Sequence, residues 1–115
     1  YSTSSANAAA RATSLATDSA TNLAIGLTVH QKGYSTSAAN AFNQAIQQAP
    51  SQAQALQIAL SVHQKGYSSA AADAFARATR LSGTADEAMQ VAENARKKGY
   101  STSAANAMKR ALDLQ

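Results

Sequence analysis

Two histidines are the side chains in this sequence best suited to bind a metal ion or to move a proton near neutral pH. His30 and His63 lie 33 residues apart, each within the same phrase, VHQKGYS. A zinc site takes three or four protein ligands, and the chain has no cysteine and no third histidine. The two histidines are therefore predicted to be copies produced by sequence repetition, and no metal or cofactor is predicted.

Adjacent carboxylates are the other candidates for chemistry. Asp86 and Glu87 follow Thr84 closely, and acids in the first turn of a helix are favoured by the helix dipole. Their position indicates helix capping rather than acid–base catalysis. The sequence contains no glycine-rich phosphate loop, no His-x-x-x-His pair and no nucleophile elbow. It predicts a protein that is not an enzyme.

The histidines belong to a repeated unit of 33 residues. Four copies begin at Tyr1, Tyr34, Tyr67 and Tyr100, and the last copy has half the length of the others. Self-similarity at a fixed period of this size is typical of stacked repeats. The roughly 30 residues between one tyrosine and the next accommodate two helices and two short turns. A single repeat domain over residues 1–115 is predicted.

Signals for helix ends recur at the same phase in successive units. Ser51 and Thr84 each begin an S/T-x-x-E/Q capping box, and Asp18 has the equivalent position. A glycine is expected to end each first helix and a serine to cap each second helix; these residues are Gly33, Gly66, Gly99, Ser35, Ser68 and Ser101. The signals predict an all-α fold of seven helices, at 4–16, 19–32, 36–48, 52–65, 69–81, 85–98 and 102–114.

The apolar residues indicate which helix faces are buried. In the second helix of a unit they form one stripe at helical spacing, with Phe42 as its largest member. Phe75 and Met108 have the same position, so all three are predicted to lie in the repeat core. The first helices are apolar on more than one face, as the inner helices of an α-solenoid are.

These units resemble the tetratricopeptide repeat. Gly26 lies seven residues before Gly33. Ala38, Phe42 and Pro50 lie five, nine and seventeen residues after Gly33. The chain is thus identified as a tetratricopeptide-like α-solenoid with a 33-residue period. The resemblance implies that the first helices line a concave groove for a peptide or helix of another protein. The groove residues would be Leu23, Leu27, His30, Gln31, Leu56, Leu60, His63, Gln64, Met89, Glu93, Arg96 and Lys97.

An uncharged surface is the clearest feature of the composition. Residues 34–64 contain no Asp, Glu, Lys or Arg, whereas about a quarter of an ordinary soluble domain is charged. Such faces are either buried against other subunits, covered by O-linked sugar, or simply neutral surface with serine caps. N-linked sugar is excluded because no Asn-x-Ser/Thr triplet occurs. The candidate O-glycosylation sites are Ser35, Thr36, Ser37, Ser68, Ser69, Ser101, Thr102 and Ser103.

The terminal units suggest two functions. Both resemble interior units, without the polar outer faces that cap monomeric solenoids. Copies of the chain would then join head to tail into a filament, although a fragment of a longer repeat protein explains the same pattern. The first hypothesis is a self-associating fibre subunit, with an extracellular location favoured over a cytoplasmic one, whose interface includes the groove residues. The alternative is a module that captures a segment of another protein in the groove.

The charges exclude other partners. The net charge is +4, from ten basic and six acidic residues, and most bases lie in the last third of the chain beside most of the acids. Nucleic-acid binding requires an unbalanced basic face, so a nucleic-acid partner is not predicted. No apolar run reaches the 18 residues of a membrane span.

Overall fold

The computed structural model describes residue 8, residue 11 and residues 18–115. This part of the chain is all-α, without strands, and contains six helices: α1 (Ser19–Gln31), α2 (Ser35–Gln48), α3 (Gln52–Gln64), α4 (Ser68–Leu81), α5 (Ala85–Lys97) and α6 (Ser101–Asp113). Each lies within one residue of its predicted bounds. The helix predicted at 4–16 falls outside the described residues except for residues 8 and 11, which are helical.

The first helix of each unit begins at a side-chain cap, as predicted. Oxygens of Asp18, Ser51 and Thr84 accept hydrogen bonds from the backbone N–H groups three residues later, at 2.8, 3.2 and 3.1 Å. These bonds satisfy donors that the first turn of a helix leaves unpaired. The Glu87 carboxylate also accepts a hydrogen bond from the N–H of Gly83 at 2.7 Å. The starts of α1, α3 and α5 are therefore set by local sequence.

The KGY phrase ends one helix and begins the next. Gly33, Gly66 and Gly99 have φ values of 93°, 92° and 90°, in the left-handed region that glycine adopts without strain. The N–H of Tyr34 donates to the carbonyl of Val29 at 3.0 Å, and the Tyr34 carbonyl accepts from Ala38 at 3.0 Å. One tyrosine backbone thus closes α1 and opens α2.

This double role corrects one prediction. The N-cap residues of α2, α4 and α6 are Tyr34, Tyr67 and Tyr100, and none makes a side-chain capping bond. The serines predicted as caps lie one residue further on, inside the helices. The reason is that the tyrosine carbonyl already accepts the first helical hydrogen bond, so the N-cap position is taken.

The described helices pack as hairpins within two compact units, Tyr1–Ala49 and Pro50–Gln115. In the first unit α1 packs on α2. In the second unit α3 packs on α4 and α5 packs on α6, while α4 also contacts both helices of the second hairpin. The two hairpins of this unit thus stack in chain order, as in an α-solenoid. The single domain over residues 1–115 stays a prediction.

Each compact unit has one fully buried phenylalanine, and alanine is the commonest of the other buried apolar residues. Phe42 and Phe75 have no exposed surface, and Ala38, Ala41 and Ala45 are equally buried. Small side chains let the helices approach closely. At Gly26 there is no room for a side chain, since a Cβ built there would lie 2.5 Å from Cε1 of Phe42.

Met108 contradicts the prediction of a repeat-core residue. Half of its surface is exposed (50%), although it has the sequence position of the fully buried Phe42 and Phe75. The ring of Tyr100, the N-cap residue of α6, packs on Phe75 with the ring centroids 5.1 Å apart. The exposed half of Met108 shows that no other described helix covers this face of α6 as α4 is covered.

Candidate interaction surfaces

A groove runs along α3 in the second unit. Its volume is about 390 Å³, and it is lined by Gln52, Ala53, Leu56, Gln57, Leu60, Ser61, Gln64 and, from α5, Gln90. Leu56 is buried and Leu60 half-buried, so they form an apolar floor, whereas Gln57 and Gln64 are exposed at the rim. None of the lining residues carries a charge. The groove therefore suits an uncharged segment with an apolar side chain.

A buried glutamine fixes the two sides of this groove. Only 5% of Gln52 is exposed, and its Nε2 donates to the carbonyl oxygen of Glu87 and to Oε1 of Gln90, both at 3.1 Å. These bonds join α3 to α5. Gln52 and Gln90 were not among the predicted groove residues. They are 38 residues apart, and no sequence signal connects them.

The predicted groove residues are only partly brought together. Leu56, Leu60 and Gln64 line the groove, whereas the four α5 residues are exposed outside its lining: Met89, Glu93, Arg96 and Lys97. In the first unit Leu23 is buried, Leu27 and His30 are half-buried, and Gln31 is exposed.

His63 lies at the contact between the two hairpins of the second unit. Its Nδ1 is 2.7 Å from the hydroxyl oxygen of Tyr100, a hydrogen bond whose donor depends on the histidine tautomer. The two rings meet edge to face, with centroids 5.3 Å apart. Burial raises the pKa of the Tyr100 hydroxyl above its ordinary value. The repeated histidine phrase thus has a structural use in this unit.

A second surface lies on α6. Ser101, Ala105, Met108 and Leu112 follow a spacing of four, three and four residues, which places them on one helix face; we call these four residues the α6 stripe. All four residues are exposed, with 50% of the Met108 surface and 68% of the Leu112 surface accessible. The stripe is an apolar helix face in contact with water.

The same face of α4 is covered over most of its length. Its equivalent residues are Ser68, Ala72, Phe75 and Thr79. Phe75 is fully buried, Ala72 and Thr79 are half-buried, and Ser68 is exposed. The α5–α6 hairpin makes one aromatic contact and one hydrogen bond to this face. The Tyr100 ring packs on Phe75, and the Arg110 guanidinium donates to the carbonyl of Ser82, at the end of α4, at 3.0 Å.

The candidate O-glycosylation residues lie in the first turns of α2, α4 and α6. Six are exposed (Ser35, Thr36, Ser68, Ser69, Ser101 and Thr102), and two are half-buried (Ser37 and Ser103). Their exposure leaves the hydroxyls of the first six open to an enzyme, and the modification itself stays a prediction.

Two other kinds of site are absent from the described part of the chain. Residues 18–115 contain no group of three His, Asp or Glu side chains placed to hold a metal ion. None of the helices described has the length and apolar character needed to cross a bilayer.

Comparisons of the chain with protein-family models, with curated proteins and with solved structures found no match. The groove along α3 and the α6 stripe are therefore the two features of this chain that bear on its function.

Proposed function

We propose that this chain is a structural, non-catalytic repeat protein that associates with copies of itself. The observation that carries the proposal is the exposure of the α6 stripe, because the equivalent face of α4 is covered by a hairpin of the same kind. The tetratricopeptide-like classification, the extracellular location and the O-linked sugar belong to the same proposal and are supported by sequence features alone.

The driving force would be the burial of apolar side chains. Fully burying a Met or Leu side chain stabilises a contact by about 1.5–3 kcal/mol. Part of this is offset by the rotational and translational freedom lost on association. Met108 and Leu112 together therefore support a weak, concentration-dependent contact, which many copies in a filament would reinforce.

Light scattering of the purified chain over a concentration series tests this proposal, followed by negative-stain microscopy of the same samples. We expect the average mass to rise with concentration. The double variant Met108→Gln/Leu112→Gln should remain monomeric, whereas Lys109→Gln, at an exposed position beside the stripe, should behave as the unsubstituted chain. A chain that stays monomeric up to about 1 mM, where a contact of −4 kcal/mol would be half-formed, would contradict the proposal.

A second candidate function is supported by the groove along α3. Its apolar floor at Leu56 and Leu60 would accept an apolar side chain of another protein, and the rim carboxamides of Gln57 and Gln64 can both donate to and accept from a peptide backbone. The exposed Arg96 and Lys97 on α5 would favour an acidic residue beyond the groove. In this function the chain is a peptide-binding module.

Selection of linear peptides from a random display library on the immobilised chain tests the second function. The variant Ala53→Arg fills the groove from an exposed lining position without changing the core. The matched control is Ala20→Arg, the equivalent exposed position of α1. Selected peptides should lose binding to Ala53→Arg and retain it with Ala20→Arg. Equal binding to both variants would place the peptides elsewhere on the molecule.

A further inference from the structure

The sulfur chemistry of this chain is confined to two methionine side chains. The sequence contains Met89, Met108 and no cysteine. A methionine thioether is oxidised to the sulfoxide, which turns a flexible apolar side chain into a polar one. The exposed fraction is 38% for Met89 and 50% for Met108. Both side chains are therefore accessible to an oxidant in solution.

The two methionines lie in different surroundings. Met108 is at the centre of the α6 stripe, and its neighbours on that face one turn away are Ala105 and Leu112. The residues at the same spacing from Met89 on α5 are Asp86 and Glu93, and both are exposed. Oxidation of Met108 would place a polar group within an apolar face, whereas oxidation of Met89 would add one to a charged face.

The preceding repeats have a side chain of another kind at the position of Met108. The equivalent residues are Phe42 and Phe75, which have no exposed surface. A phenylalanine ring has no sulfur to oxidise. The thioether thus occurs in the copy whose large apolar side chain is exposed.

We propose that Met108 is a redox-sensitive modification site and that its oxidation to the sulfoxide weakens the contact between copies of this chain. This inference rests on the proposed self-association and adds its regulation. The free chain would be the form that is oxidised, because the contact buries the Met108 side chain. Oxidation would then shift copies from the assembly to the monomer.

The oxidant would be a hydroperoxide. A lone pair of the Met108 sulfur attacks the outer oxygen of the hydroperoxide, so the O–O bond breaks as the S–O bond forms. The sulfur loses an electron pair, and the other oxygen of the hydroperoxide takes up the proton and leaves as water or an alcohol. Burying the new polar oxygen without a hydrogen bond is unfavourable, and the side chains of Ala105 and Leu112 have no donor.

The contact should in turn protect Met108 from oxidation. If the sulfoxide associates more weakly, association must disfavour the sulfoxide by the same factor. In the unsubstituted chain treated with hydrogen peroxide, Met108 should be oxidised more slowly at about 1 mM protein than at about 1 μM. The rate at Met89 should not change with protein concentration. Peptide mass spectrometry measures both rates in one sample.

Two variants separate the effects of the two sulfur atoms. In Met89→Leu only Met108 can be oxidised, and in Met108→Leu only Met89 can. Each variant is compared with itself before and after peroxide by sedimentation velocity. Peroxide should raise the Kd of Met89→Leu at least about tenfold and leave that of Met108→Leu unchanged. Methionine sulfoxide reductases for both epimers should restore the affinity of Met89→Leu, and circular dichroism checks that the helices persist.

The outcomes distinguish this inference from the proposal on which it rests. If the untreated, unsubstituted chain is monomeric up to about 1 mM, self-association fails and its regulation fails with it. If that chain associates and conversion of Met108 to the sulfoxide leaves the affinity unchanged, self-association stands and this inference is overturned. An equal loss of affinity in Met108→Leu also overturns it, because the oxidation then acts elsewhere. A reversible loss in Met89→Leu alone supports the inference.

Discussion

The start of α1 depends on one titratable side chain. The Asp18 carboxylate accepts hydrogen bonds from the backbone N–H and the hydroxyl of Thr21, at 2.8 and 2.9 Å. These bonds stabilise the ionised form and hold the pKa of Asp18 below its ordinary value. The equivalent caps, Ser51 and Thr84, do not titrate in acid. The three repeats therefore have a side-chain cap at the same position, but only the cap of α1 responds to pH.

This difference predicts how the variant Asp18→Ser behaves in acid. A lowered pKa in the folded chain gives stability above the unfolded pKa of aspartate, and this stability is lost as pH falls through the lowered value. We expect the unsubstituted chain to lose more stability than Asp18→Ser between about pH 5 and about pH 2. Urea unfolding followed by circular dichroism across that range measures the difference. Parallel pH profiles of the two chains would show that the cap contributes nothing.

Gly26 is required by the ring of Phe42. A methyl group at residue 26 would lie 2.5 and 2.6 Å from two carbons of the Phe42 ring, and that ring has no exposed surface. We expect Gly26→Ala to lower the free energy of unfolding by about 1–3 kcal/mol through overpacking, beyond the gain of up to about 1 kcal/mol that alanine brings to a helix. The matched control is Gly83→Ala, whose methyl group would meet only Glu87 Oε1 at 3.6 Å. Equal stability of the two variants would contradict the prediction.

At the scale of the elements, local chemistry made the helix bounds predictable. Capping residues, the glycines and the tyrosines act within a few residues, so each described helix lies within one residue of its prediction. The exposure of Met108 was not predictable in this way, because it depends on what covers the helix. The same limit applies to His63 and Tyr100, which are 37 residues apart and carry no sequence signal of their contact.

The Tyr100 contact should connect the two hairpins of the second unit. Tyr100→Phe removes the hydroxyl that lies 2.7 Å from His63 Nδ1 and keeps the ring on Phe75. We expect a loss of about 1 kcal/mol, the contribution of a typical hydrogen bond. Tyr100→Ala should lose about 3 kcal/mol, because it also removes the aromatic contact.

A double-mutant cycle isolates the hydrogen bond from other effects of these substitutions. His63→Ala, Tyr100→Phe and the combination are compared by urea unfolding. Residues in direct contact usually show a coupling energy of about 0.5–3 kcal/mol. Additive losses, with a coupling energy near zero, would mean that the His63 and Tyr100 side chains do not stabilise each other.

For the whole molecule, the groove along α3 shows which site residues the tetratricopeptide resemblance could predict. The resemblance predicted Leu56, Leu60 and Gln64, which line the groove, because it assigns the groove to the first helix of each repeat. The uncharged lining follows from the uncharged run at 34–64, which the sequence shows directly. The hydrogen bond between Gln52 and Gln90 joins residues 38 apart and was not anticipated, because it depends on how α3 and α5 pack. The exposed α6 residues likewise follow from the structure and not from the repeat pattern.

The charge distribution predicts how association depends on the solvent. Residues 34–64 carry no Asp, Glu, Lys or Arg, and the α6 stripe is uncharged. The proposed contact through Met108 and Leu112 therefore buries mainly apolar surface. Screening by about 0.5 M NaCl acts on exposed charge pairs, so it should change the affinity little.

Sulfate and warming, unlike NaCl, should strengthen the association. Sulfate is excluded from protein surfaces and strengthens apolar burial, and the hydrophobic contribution weakens on cooling. We expect association to increase in ammonium sulfate and on warming from about 5 to about 25 °C, and sedimentation velocity at fixed protein concentration measures both. Dissociation by NaCl would show that charge pairs hold the copies together. In that case the exposed bases of α5, and not Met108 and Leu112, would be the residues to substitute next.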